Sequence, residues 1–159
     1  MTEDLIKPQG FVEIIIEDKE TGEIVHVSEH NTVLDNGKSF LARSLAGSPY
    51  INNPYDFFIS TMVFGTGGED GSIPRTVESG RTTLYNQTLS VAVDRGWTTD
   101  YPTRARFTGT IGAATGNGTT LNEAGLKTDA GDLFSMVTFS GLSKTASLQF
   151  TLNWTIVFA

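Results

Sequence analysis

The residues SLQFTLNWTIVF, 147–158, constrain this chain more than any other stretch. Leu148, Phe150, Leu152, Trp154, Ile156 and Phe158 alternate without a break against Gln149, Thr151, Asn153, Thr155 and Val157. Side chains of a strand point to opposite faces in turn, so six matches to a period of two predict a long strand with one buried face. Such a strand needs partners, and the preceding LFSMVTFS reads as one. The segment GLSKTAS between them reads as a loop. Upstream, NEAGLKTDAGDLF carries turn residues at Asp129 to Gly131 between two apolar segments, which predicts a hairpin. Residues 121–158 thus read as three consecutive antiparallel strands.

The start of the chain repeats the pattern. FVEIIIED and EIVHVSE flank KETG, whose Thr21-Gly22 supplies a hairpin turn. In the middle, Leu89, Val91 and Val93 fall on one face of TLYNQTLSVAVD, and Ala105, Phe107 and Ile111 on one face of RARFTGTI. At least seven strands follow, punctuated by Gly and Asn, which predicts an all-β fold: an antiparallel β-sandwich or a jelly roll. One helix interrupts it near residues 35–46, where Leu34, Phe40, Leu41, Ala42 and Leu45 fall close to helical spacing and Gly47 is placed for a C-cap. It is expected to cover an open end or face of the sandwich. The 159 residues suit a single core. Residues 1–10, MTEDLIKPQG, read as a flexible arm and 11–159 as one domain, with no linker dividing it.

Composition narrows the chemistry. The chain has no cysteine, which excludes disulfides, thiol catalysis and Cys-ligated metals. No basic-then-apolar leader opens it and no apolar run approaches the length of a membrane span, so neither export nor a membrane partner is expected. Three Asn-x-Thr sequons, at Asn86, Asn117 and Asn153, therefore carry little weight. The net charge of −7 is uneven: residues 1–36 hold nine acids and two bases, and residues 37–159 nine of each. An acidic chain repels phosphate backbones, so free nucleic acid is not an expected partner. Arg75, Arg81, Arg95, Arg104 and Arg106 lie in the middle of the chain. They read either as solvated strand faces or as a basic patch docking the acidic segment of a neighbouring copy.

The motif-like stretch MVFGTGGEDG, Met62 to Gly71, fails each test of a ligand loop. Gly65 and Gly67 fit a dinucleotide fingerprint, but position 70 is Asp and SIPR follows where a helix should start. No Gly-Lys-Ser/Thr follows for a P-loop, and Glu69 and Asp70 oppose phosphate. Their spacing matches no calcium loop. The stretch reads as a core strand, Phe58 to Phe64, released by Gly65 and Gly67 into a mobile acidic loop. His26 and His30 lie on one strand face roughly 13 Å apart, too far to chelate one metal. Glu17 and Asp18 point to opposite faces of a strand, and no Gly-x-Ser-x-Gly is present. Neither catalytic nor cofactor residues emerge, although a carboxylate pair of a glycosidase built from distant loops is invisible in sequence. The remaining candidates are aromatic residues in irregular segments, Tyr50, Tyr55, Trp97 and Tyr101, read with Arg75 and Arg81 as interface anchors.

Taken in order, GFVEIIIEDKETGEIVHVSEHNTVLDNGKSFLARSLAG, FGTGG, LNEAGL, LFSMVTFSGLSKT and LNWTIVF resemble small virion structural proteins of tailed bacteriophages. The resemblance implies a β-rich accessory protein without enzymatic activity or cofactor, mounted in many copies on the particle in the virion and assembled in the bacterial host cytoplasm. Capsid decoration is the expected role, with neck, tail or baseplate as alternatives. Its partners would be the major capsid or tail and neck subunits, and copies of itself, a trimer being the expected oligomer. From another class, a glycan-binding host-attachment module would use Tyr50, Tyr55, Trp97 or Tyr101 as platforms for sugar rings.

Overall fold

A computed structural model describes residues 8–46 and 58–158, so Tyr50, Tyr55 and Gly47 lie outside the described residues. Eleven strands and one helix follow in chain order: β1 Pro8–Asp18, β2 Ile24–Val33, α1 Asp35–Ala46, β3 Ile59–Gly65, β4 Glu69–Asp70, β5 Ile73–Pro74, β6 Gln87–Ala92, β7 Asp94–Gly96, β8 Arg104–Ile111, β9 Thr119–Thr128, β10 Leu133–Lys144 and β11 Leu148–Phe158. The fold is mainly β, as the alternation predicts. Nine strands form one antiparallel sheet in the order β6-β3-β9-β10-β2-β1-β11-β8-β7, and β4 pairs only with β5.

The large sheet folds into a nearly closed ring because two strands change partners. β2 pairs with β1 over Ile24–Asn31 and then with β10 at Thr32 and Val33. On the far side, β6 lies on β3 while β7, one residue further on, lies on β8. Val93 between them donates its N–H to Ser60 O at 3.2 Å, which pins the bend. Corners of this kind let one sheet serve as both layers of a sandwich. Gly109 on β8 sits at the closure: a Cβ there would lie 2.8 Å from Met62 Sδ, so glycine leaves room for the Met62 side chain between β8 and β3.

The predicted inward face of β11 is confirmed. Phe150, Leu152, Trp154 and Ile156 are buried with Val12 and Ile14 of β1, Phe107 and Ile111 of β8, and Met62 and Phe64 of β3. Burying each such side chain contributes about 1.5–3 kcal/mol. α1 caps the end of the ring where β2 leaves and β10 begins. Phe40 meets Phe134 edge-to-face at 5.9 Å, while Leu45 is exposed rather than part of the apolar face. Asp35 in the first turn and Arg43 in the last oppose the helix dipole with the favourable sign.

Three expectations need correction. β10 runs through Gly141–Lys144, so GLSKTAS is strand up to its fourth residue and the turn is confined to Thr145–Ser147. β1 begins at Pro8, where Pro8 already pairs with Phe158, so the last three residues of the expected arm belong to the sheet. The acidic stretch after β3 is not mobile: β4 and β5 form a tight hairpin with Gly71 at φ 66° in its turn. Residues 66–86 then lie across the outside of the β3-β9-β10 half. Leu84, Val77 and Tyr85 cover Val63, Leu133 and Met136 there, together with Leu34.

A buried lysine lies at the opposite end. Lys144, the last residue of β10, is almost fully buried, and its Nζ donates to Asn117 Oδ1 at 2.8 Å, Thr145 O at 3.0 Å and Ala113 O at 3.2 Å. It fastens the β8–β9 loop. Burial lowers its pKa below the ordinary 10.5. The unfolded chain therefore holds more protons than the native one in the window between the lowered value and 10.5, so this group makes stability rise with pH there. Lys144→Met is expected to cost about 1 kcal/mol at neutral pH, because it removes hydrogen bonds to acceptors on Ala113, Asn117 and Thr145 that are only partly buried. The gap between wild type and variant should widen as pH rises through that window, measured by urea midpoints. A gap that narrows would contradict the assignment.

Candidate functional site

The two halves of the sheet differ in what lies outside them. The β3-β9-β10 half is covered by residues 66–86 and buried on both faces. The outer face of β2-β1-β11-β8 has no such cover among the described residues, and its side chains fall in straight cross-strand rows. One row is His30, Phe11, Thr155 and Arg106; the next is Ser28, Glu13, Asn153 and Thr108. His26 lies one row further along β2, so both histidines share this face with Ser28 between them, as the spacing predicts.

These rows enclose an open groove of about 310 Å³. Glu13 Oε1 lies 2.8 Å from His26 Nδ1. Thr108 Oγ1 donates to Asn153 Oδ1 at 2.9 Å. Phe11 is 42% exposed and meets the His30 ring edge-on at 5.0 Å. Arg106 has no acidic group within ion-pairing distance among the described residues. No group of three or more His, Cys, Asp or Glu among the described residues is placed to hold a metal ion.

The residues singled out in loops separate into two sites, one at an end of the ring and one on the outside of the β3-β9-β10 half. Trp97 and Tyr101 come together on the β7–β8 loop, both exposed. Trp97 Nε1 donates to Pro102 O at 3.0 Å, and the Arg104 guanidinium lies 4.9 Å from the Tyr101 ring centre. This loop stands at the end where β1 starts and β11 finishes, with Phe158 N donating to Thr103 O at 2.9 Å. Arg75 and Arg81 instead flank one ring, with guanidinium carbons 5.0 and 3.6 Å from the centre of Tyr85. Arg75 Nε also donates to Gly67 O at 3.0 Å. With Arg95 over Phe58 at 4.1 Å, four of the five mid-chain arginines are spent on aromatic rings of their own chain. Arg106 is the exception.

Sequence reasoning missed Glu123. It is fully buried on β9 and accepts N–H groups from Asn86 at 2.7 Å, Tyr85 at 2.8 Å and Gly67 at 3.0 Å, while neighbouring Asn122 accepts that of Gly68 at 2.7 Å. A methyl group at Gly67 would lie 2.6 Å from Tyr85 Cβ, so the glycines of FGTGG serve close packing rather than a ligand. The stretch that looks most like an anion cradle holds the protein's own anion.

No family model, curated protein or solved structure matches this chain.

Proposed function

We propose that the chain is a non-enzymatic structural subunit of a tailed-phage particle, acting as a capsid decoration protein. The observation that carries this reading is the aromatic rim: Trp97 and Tyr101, 62% and 59% exposed, held on a short loop by the Trp97–Pro102 hydrogen bond and the Arg104 stack. Large rings fixed in an exposed position lose little entropy on binding and are the residue types that anchor protein interfaces. The ordered segments resembling virion proteins support the same reading. A subunit that binds only the assembled shell stabilises it by mass action, and repeated shell sites favour a symmetric oligomer, a trimer in this proposal.

The test is co-sedimentation of the purified protein with phage shells lacking it, together with its mass in solution by light scattering. Decoration is expected to raise the temperature at which the shells open. Trp97→Ala with Tyr101→Ala should weaken binding by about 1,000-fold, equivalent to two hot-spot losses of about 2 kcal/mol each. Sedimentation with tail or neck fractions alone would overturn capsid decoration, and binding to no particle fraction would overturn the virion role.

A further inference from the structure

We propose that the uncovered face of β2-β1-β11-β8 is a binding site for a saccharide that carries a carboxylate. The site is separate from the aromatic rim and does not depend on the virion role.

The register builds a slot. Phe11 on β1 and Arg106 on β8 flank Thr155 on β11 in one row, and adjacent strands lie about 4.8 Å apart, so the two longer side chains rise from backbone positions about 10 Å apart on either side of a short hydroxyl side chain. A pyranose fits between such walls. Its C–H face would lie against the Phe11 ring, and its hydroxyls would meet Thr155, Asn153 and Ser28 on the floor. Asn153 spends its oxygen on Thr108, which leaves its N–H donors for a ligand.

The charges in the groove are polarised, and this selects the ligand. Arg106 lies on the β8 side without an acidic partner among the described residues, whereas Glu13 lies on β1, two strands away. His26 engages only one oxygen of Glu13. A carboxylate is held at the Arg106 end, where a guanidinium offers two parallel N–H donors. Hydroxyl donors suit the acceptors at the other end, and a second carboxylate there would be repelled. The pattern favours a uronic-type sugar over both a neutral sugar and a dicarboxylate. The volume of about 310 Å³ admits one or two rings.

The experiment titrates the isotope-labelled full chain with methyl glucuronoside, methyl glucoside, acetate and succinate while following backbone amides by NMR. Glucuronoside should shift Phe11, Asn153, Thr155 and Arg106, and the glucoside should bind at least about tenfold more weakly, a difference of about 1.4 kcal/mol. Acetate and succinate should leave these residues unmoved. Arg106→Gln should reduce glucuronoside affinity to that of the glucoside, with Arg106→Lys intermediate, and Phe11→Ala should weaken both sugars. No shift at these residues up to about 20 mM, about twenty times a Kd of 1 mM, would overturn the proposal. So would equal binding of acetate, or an Arg106→Gln variant that still prefers the uronate.

Discussion

Glu123→Gln is expected to lower stability by about 3 kcal/mol. The carboxylate accepts three backbone N–H groups in a fully buried site, and hydrogen bonds to a charged group contribute about 1.5–3 kcal/mol each, more than neutral ones. Glutamine keeps one oxygen but must turn its N–H2 towards Tyr85 N or towards the pair of Gly67 N and Asn86 N. A donor then faces a donor. Glu123→Ala should cost more still, since all three N–H groups lose their acceptor. The effect should be local before it is global: amide exchange at Gly67, Tyr85 and Asn86 should accelerate well ahead of that in β1 and β11. Uniform loss of protection across the sheet would mean that Glu123 does not hold the 66–86 segment to β9 as described.

Trp154→Ala should cost about 4 kcal/mol, the range for removing a large aromatic ring from a core. The indole is fully buried between Val12 and Phe107, its cross-strand neighbours on β1 and β8. For a chain of this size the loss corresponds to a fall in melting temperature of about 8–16 °C. Trp154→Phe keeps most of the apolar area and gives up no protein hydrogen bond, since the indole N–H has no protein acceptor among the described residues. Its cost should be about 1–2 kcal/mol. Near-equal melting of wild type and the alanine variant would place the ring outside the core.

What could be read from the sequence depended on which faces were buried. β11 announces itself because one face meets the core and the other meets water, so composition alternates with direction. β9 and β10 lack that alternation, because residues 66–86 bury their outer face as well, and they are legible instead from the Asp129–Gly131 turn between apolar segments. Their inward residues such as Val137 and outward ones such as Met136 are both apolar, and the period of two vanishes. The continuation of β10 through Gly141–Lys144 was hidden for a different reason, since the glycine, serine and lysine of GLSK resemble a loop until Leu142–Lys144 pair with Thr119–Leu121. Glu123 was illegible because its partners lie 37 to 56 residues earlier in the chain. A lone acid inside a strand between Asn and Ala, with a glycine-rich segment upstream, is the only signal it leaves.

The groove residues were similarly scattered. Phe11, Arg106 and Thr155 sit on three strands widely separated in sequence, and only the β1–β11 and β11–β8 registers set them in one row. Loop aromatics are conspicuous to a reader of sequence, while a sheet face assembles its side chains through pairing. Arg75 and Arg81 illustrate the reverse. As isolated cations they suggest an interface, yet Tyr85 takes up both.

The bend at Val93 has a consequence for crowding. Strands left unpaired along one side recruit further strands, the route by which β proteins polymerise. Among the described residues the edges of the large sheet are the six residues of β6 and the three of β7, and the turn between them passes the chain from β3 to β8. A neighbouring chain cannot add a straight strand across that corner. The described edges of the large sheet thus offer a second chain two short templates rather than one long one.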